Sequence, residues 1–210
     1  QGESCLMNCS FCSQARDAAG PGGRLGRVTW PPFPFEAVIN GLRRASGEGL
    51  QRICLQAVYE PGSSCNIVRL ARLLKDTVDL PLSISAPLSS PAEASLYFEA
   101  GAERLSIALD AATDGLFARH KGGDLSQHLE LLLECAQLSP GRISTHLICG
   151  LGEKEEEMAK LFNILLQEKI TIGLFAFTPL RGTKLEGQLP PEPASYRRLQ
   201  ALYYLLRCGH

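Results

Sequence analysis

From Phe35 onward two hydrophobic periods take turns along the chain, and that alternation leaves few folds open. Apolar residues three and four apart mark helices over Phe35–Ala45 (Phe35, Val38, Ile39, Leu42) and residues 66–78 (Ile67, Leu70, Ala71, Leu74). Further stripes run over residues 124–138 (Leu125, Leu129, Leu132, Leu133, Ala136), Glu155–Gln167 (Met158, Leu161, Phe162, Leu165, Leu166) and residues 194–207. Ser90-Pro91-Ala92-Glu93 reads as a capping box with proline at the first helical position, and opens a helix to Ala100. Between these lie short, nearly continuous apolar runs at 52–58, 80–86, 104–109, 142–149 and 171–177. Strands of that kind, each separated from the next by a helix, predict a parallel sheet covered by helices. The expected fold is α/β, a partial (β/α)6 TIM-like barrel in a single domain spanning residues 1–210. A first strand is expected ahead of residue 5, so the chain reads as a fragment of a longer one. Active sites in such folds lie at the C-terminal ends of the strands.

Composition narrows the function. A hydrophobic content of 45% supports a sizeable core, and a net charge of -1 argues against nucleic acid or an acidic membrane as partner. No apolar run approaches the ~20 residues needed to span a bilayer. The 8 cysteines, with no signal sequence, point to a reducing cytoplasmic setting, where thiols serve metal or redox chemistry.

Three of those thiols fall in one octet, Cys5-Leu6-Met7-Asn8-Cys9-Ser10-Phe11-Cys12, spaced C-x3-C-x2-C. An odd number of such close neighbours cannot all pair as disulfides, but three thiolates can wrap one soft metal centre, as iron–sulfur clusters require. Structural zinc prefers four ligands, usually in two C-x2-C pairs, and the next cysteine is Cys54. A disulfide framework suits a small secreted domain better than this chain. Three ligands on a four-iron cube leave one iron open. Residues 13–34 are rich in Gly and Pro and read as a long loop around the metal. Arg16, Arg24 and Arg27 either face an anionic group there or are solvated, and Trp30 reads as a packing anchor.

The octet resembles the signature of the radical S-adenosylmethionine (radical SAM) superfamily, C-x3-C-x-Φ-C, with Phe11 at the aromatic position. That resemblance implies that Cys5, Cys9 and Cys12 hold a [4Fe–4S] cluster whose open iron binds S-adenosyl-L-methionine (SAM). One-electron cleavage of SAM would then yield a 5′-deoxyadenosyl radical that takes hydrogen from an unactivated C–H bond. The strand ends resemble the biotin synthase-like branch. Asp110, closing Ser106-Ile107-Ala108-Leu109-Asp110, matches an Asp that contacts the ribose, with Ser106 on the same strand face; Ala108 departs from the branch's Asn. His146-Leu147-Ile148-Cys149-Gly150-Leu151-Gly152-Glu153 is similar to a turn that shapes the SAM pocket, with Ile148 and Gly150 fitting best. Phe177 and Leu180 are expected beside adenine. Gln56 stands where a Gly-Gly-Glu-like segment meets the SAM amine, and His128 where the branch places an Arg for its carboxylate. Strand-end polarity for Gln56, an N-cap for Asp110 and a helical surface position for His128 are the plainer alternatives. No general acid/base pair is assigned.

The branch includes sulfur-inserting enzymes, maturases and mutases. Sulfur insertion needs a second iron–sulfur cluster. Biotin synthase holds it with Cys on barrel strands, where this chain carries Ser83 or Ser85, Ser106 and Ser144, which argues against biotin synthase itself. Lipoyl synthase draws those ligands mainly from outside the core barrel. The wording of residues 13–34 and of strand two resembles two-protein-type lipoyl synthases, which favours sulfur insertion; maturase or mutase chemistry is the alternative, and a non-catalytic iron–sulfur or zinc protein the alternative outside enzymes. Cys54, Cys65, Cys135, Cys149 and Cys208 read first as core thiols, with Cys65 and Cys149 the better candidates for auxiliary ligands. The implied partners are an electron donor such as flavodoxin or ferredoxin, and a small-molecule or lipoyl-domain substrate.

Overall fold

The computed structural model describes residues 5–19, 24–25, 28–29, 31–45 and 48–209. Within the Gly/Pro-rich stretch, Arg24–Leu25 (β1) and Val28–Thr29 (β2) pair antiparallel. Five strands follow: Ile53–Gln56 (β3), Leu82–Ser85 (β4), Arg104–Ser106 (β5), Ile143–Cys149 (β6) and Thr171–Ala176 (β7). They form one parallel sheet in the order β3-β4-β5-β6-β7, so every connection is a helical crossover to the adjacent strand. The helices are Phe35–Ala45 (α1), Ser63–Thr77 (α2), Pro91–Glu99 (α3), Asp114–His120 (α4), Leu125–Leu138 (α5), Glu155–Gln167 (α6) and Pro193–Cys208 (α7). This is the α/β, partial TIM-like barrel expected.

The local chemistry explains the helix boundaries. Ser90 accepts the amide of Glu93 and Pro91 starts α3, while the Glu93 carboxylate turns back to the amide and hydroxyl of Ser89, each 2.9 Å. Asp124 caps α5 by accepting the Gln127 amide at 3.0 Å. The short helix α4 has no counterpart in the hydrophobic pattern. Thr113 caps it, and its seven residues bury Phe117 and His120.

The strands are not apolar on both faces. Burial alternates along β6, with Ile143, Thr145, Leu147 and Cys149 buried toward the helices and Ser144, His146 and Ile148 facing the concave side. Register then lines Gln56, Ser85, Ser106, Ser144 and Thr171 across the sheet in one polar row. The helix-side face joins Ile67, Leu82, Ile84, Tyr97, Leu105, Phe117, Leu132, Leu147, Met158 and Phe162 in one core. Each fully buried aliphatic side chain there contributes about 1.5–3 kcal/mol.

The free edge of β7 is closed by α7. The Ile172 amide donates to the Tyr203 hydroxyl at 3.2 Å, and the Tyr196 hydroxyl donates to the Leu174 carbonyl at 2.9 Å. Two edge groups that would otherwise invite another strand are thereby satisfied within the chain.

Candidate active site

The cysteine octet lies across the C-terminal ends of the strands and is tied down at several points. The Leu6 amide donates to the Tyr59 carbonyl just past β3 (2.7 Å), and the Ser10 amide to the His120 carbonyl at the end of α4 (2.7 Å). The Leu185 amide, beyond β7, donates to the Ser10 carbonyl (3.2 Å). Inside the loop the Cys12 amide returns to the Cys9 carbonyl (3.2 Å) and the Arg16 amide to the Met7 carbonyl (2.9 Å). Arg16 itself pairs with the adjacent Asp17 in solvent rather than facing a hollow. Arg27, Trp30 and the side chain of Arg24 lie outside the described residues.

Cys5, Cys9 and Cys12 are all free thiols and all half-buried. Burial pushes the Cys9 thiol up to about 12, only partly countered by the Lys121 ammonium, and burial likewise raises Cys12. Thiols so placed stay protonated at neutral pH unless a metal's positive charge offsets the burial. One feature already favours the thiolate: the Gln14 amide points at Cys12 Sγ (3.4 Å), whereas the neighbouring thiols raise the pKa values of Cys9 and Cys12 and so need a shared positive centre. Among the described residues no three such side chains converge tightly enough for a single metal ion. Three cysteine thiols on one loop are the donor type that an iron–sulfur cluster takes.

Asp110 stands beside this loop. After Ser106 the β5 ladder breaks, and the fully buried Thr145 side chain fills the gap. Its hydroxyl donates to the Ile107 carbonyl (2.7 Å) and accepts the Leu109 amide (3.1 Å). The chain rejoins β6 as an isolated bridge between Asp110 and Leu147, with Asp110 at φ 66. Aspartate tolerates that left-handed conformation better than most residues. The Asp110 carboxylate is therefore not an N-cap; Thr113 takes that role. Its Oδ2 instead receives Lys121 Nζ at 2.8 Å, in a pair only 13% and 10% exposed, and Lys121 also donates to the Ala108 carbonyl.

The Asp110–Lys121 pair divides two hollows. One, about 150 Å³, gathers Phe11, Asp110, Ile148 and Phe177 with His146, Phe175, Ala176 and Thr178. The other, about 350 Å³, runs from Met7 and Tyr59 past Ser85 and Ser106 to Lys121 and His128. His128 is half-buried. Its ring packs tilted at 53° against Phe117 (centroids 5.1 Å) and lies near Lys121 and Asp110, and burial lowers its pKa. Gln56 lies on the concave face but lines neither hollow. Gly150 also lies outside both: it turns behind the sheet at φ 102, where a Cβ would come 2.7 Å from Pro191 Cδ. Ile148 and Phe177 reach the smaller hollow from successive strand ends.

Lys121, His120, His146 and Thr145 were not legible as site residues. His146 projects from β6 onto the concave face, 3.4 Å from Ser106 Oγ and edge-on to Phe175 (5.3 Å). Burial lowers its pKa and keeps it neutral. The auxiliary-thiol expectation fails for both of its better candidates. Cys65 is exposed on α2, and Cys149 is buried on the helix side of β6, its thiol pushed up to about 12 by burial. Cys54 shares a strand level with Ser83 and Arg104 and is exposed.

The chain matches the Radical SAM superfamily over residues 2–165. It belongs to that superfamily. Membership carries a [4Fe–4S] cluster and SAM with it. Solved structures with the same fold include methylornithine synthase (PylB), 18% identical with a TM-score of 0.74, covering 96% of this chain and 60% of that one. The FeFe-hydrogenase maturase HydG from Carboxydothermus hydrogenoformans is 12% identical (TM-score 0.74; 99% and 50% coverage). Streptococcus suis SuiB bound to S-adenosylmethionine is 15% identical (TM-score 0.67; 99% and 46%). No curated protein sequence matches the chain. The radical SAM chain thus spans about half to three-fifths of the length of these structures. Among the described residues no helix is long and apolar enough to cross a membrane.

Proposed function

We propose that this radical SAM enzyme binds its cluster through Cys5, Cys9 and Cys12 and its SAM across the two hollows flanking Asp110 and Lys121. The observation that carries the reading is the meeting of the cysteine octet with this buried ion pair at the strand ends. When bound, the cluster and SAM supply a 5′-deoxyadenosyl radical that abstracts hydrogen from an unactivated C–H bond. The chain's own residues bind and orient. Asp110 Oδ1, left over from the Lys121 contact through Oδ2, accepts a ribose hydroxyl. Lys121 and His128 face the SAM carboxylate, and Ser106 lies beneath. Phe11, Ile148 and Phe177 give adenine an apolar seat. Neutral His146 and the row of serines face the substrate.

Hydrogen abstraction without sulfur insertion, as in a mutase or maturase, is the better supported branch. The similarity to structures entitled methylornithine synthase and hydrogenase maturase favours it. The serine-lined concave face argues only against a second cluster held as in biotin synthase, by thiolates on the barrel strands. The sulfur-insertion reading, lipoyl or biotin synthase-like, draws on Cys54, which would need further ligands from outside the described residues. The enzyme works in the cytoplasm with a flavodoxin- or ferredoxin-type electron donor. Anaerobic reconstitution with iron and sulfide, followed by SAM and dithionite, tests the core reading. Wild-type protein is expected to form 5′-deoxyadenosine and methionine in equal amounts; a loaded cluster with no 5′-deoxyadenosine contradicts it.

A further inference from the structure

His120 ends α4, is 5% exposed, and touches neither hollow. All of its polar groups are nonetheless engaged. Its carbonyl accepts the Ser10 amide at 2.7 Å. Its ring Nε2 lies 3.1 Å from the Leu151 carbonyl, and Nδ1 lies 2.9 Å from the Ser10 hydroxyl, which is also 3.2 Å from the His120 carbonyl. A carbonyl only accepts, so Nε2 carries the hydrogen, and the single Ser10 hydroxyl proton is shared between Nδ1 and the His120 carbonyl. Burial lowers the His120 pKa, which keeps this neutral tautomer.

Ser10 sits between Cys9 and Cys12. Leu151 sits in the turn after β6, two residues past Cys149 and three past Ile148. Three other main-chain groups of that turn are already committed. Glu153 accepts the amides of Gly150 (2.6 Å) and Leu151 (2.9 Å), and Gln188 donates to the Gly150 carbonyl (2.6 Å). The next residue after His120 is Lys121, which holds Asp110. Residues 120 and 121 therefore join three parts of the site: the thiol loop, the β6 turn and the Asp110 carboxylate.

We infer that His120 is a positioning residue that sets the separation between the cluster loop and the adenosine side of the SAM pocket through the Ser10–His120–Leu151 chain of hydrogen bonds. This rests on the reading of the octet as the cluster loop and of Ile148 as an adenine contact. A loop held at this spacing binds SAM in one geometry; a loop released from it still carries three thiols but presents them at variable distance.

The test uses the full chain, reconstituted anaerobically, with SAM as the probe. Iron and sulfide content, the EPR spectrum of the reduced cluster, and SAM affinity read from the shift of that spectrum are compared among wild type, His120→Leu, His120→Gln and Ser10→Ala. His120→Leu is expected to load a four-iron cluster but to bind SAM about ten-fold more weakly, the equivalent of a lost buried hydrogen bond. His120→Gln, which can still donate to Leu151, should recover part of the loss. Imidazole 15N shifts of the metal-free protein should show the neutral Nε2–H tautomer. A His120→Leu protein that loads its cluster and binds SAM like wild type overturns the proposal. Should that variant fail to fold, Ser10→Ala and His120→Gln decide: unchanged SAM affinity in both overturns it, and weakened affinity in either supports it. A wild-type protein that loads no cluster or binds no SAM overturns the reading of the site as well, before any substitution is made.

Discussion

Thr145 shows how a single hydroxyl presents a functional carboxylate. It is fully buried and replaces two main-chain partners where β5 leaves the ladder, so that Asp110 can rejoin β6 one step later. Thr145→Val keeps the shape and orphans the Ile107 carbonyl and the Leu109 amide. Chemical denaturation should show a loss of about 2–4 kcal/mol, one buried orphan penalty for each group. The Asp110–Lys121 pair calls for a cycle rather than a single change. Lys121→Met should cost about 3–5 kcal/mol, because a buried carboxylate is left without its cation. Lys121→Met with Asp110→Asn should recover much of that stability, which a urea titration of the three variants will show. At this scale the thiol octet and Asp110 could be read from spacing and strand order. Lys121 and His146 could not, because nothing local marks a lysine 11 residues after an aspartate as its partner. His128 was expected at the SAM carboxylate, with an exposed helical position as the plainer alternative, and it lines the larger hollow with Lys121. Its helix stripe does not reveal that Phe117, on α4, packs against its ring.

Among the elements, the hydrophobic periods did not reveal α4, nor the two-residue strands β1 and β2 inside the stretch read as a loop. In α4, seven residues with a glycine in the first turn give too short a stripe to count, although Thr113 at the N-cap and Arg119 and His120 in the last turn are the usual end signals. The longer helices and all five parallel strands were legible because their apolar periods are sustained over several turns or runs. Strand ends were overextended: β5 stops at Ser106 because Thr145 takes over its pairing. The turn after β6 was legible through its glycines, but the reason for Gly150 is tertiary. At φ 102 with Pro191 Cδ 2.7 Å from a built Cβ, Gly150→Ala combines backbone strain with a clash. Its expected cost is about 2–4 kcal/mol. Removing the ring with Pro191→Ala should recover the clash portion only, and thermal unfolding of the two variants and their combination will separate the parts.

For the molecule as a whole, the sheet has an apolar face and a more polar one. The helix side holds the core, while the concave side carries the serines and His146. Three histidines, His120, His128 and His146, have pKa values lowered chiefly by burial from an ordinary 6.5. The unfolded chain therefore takes up protons at higher pH than the folded one. The stability from keeping these rings neutral is present above pH 6.5 and is lost as pH falls through the lowered native values. The neighbouring charges, Arg119 and Glu153 at His120, and Lys121 and Asp110 at the other two, adjust this without reversing it. Urea midpoints should hold steady from pH 8 to about 6.5 and decline below it; His120→Gln should flatten part of that decline. The central claim is that the octet and the Asp110 pocket form one cluster-and-SAM site. The EPR spectrum of the reduced, reconstituted protein tests this most directly. The account predicts a four-iron signal that shifts when SAM is added, is absent in Cys9→Ala, and remains but shifts only at higher SAM concentration in Asp110→Ala. A Cys9→Ala protein that keeps the cluster signal, or a wild-type signal indifferent to SAM, contradicts it.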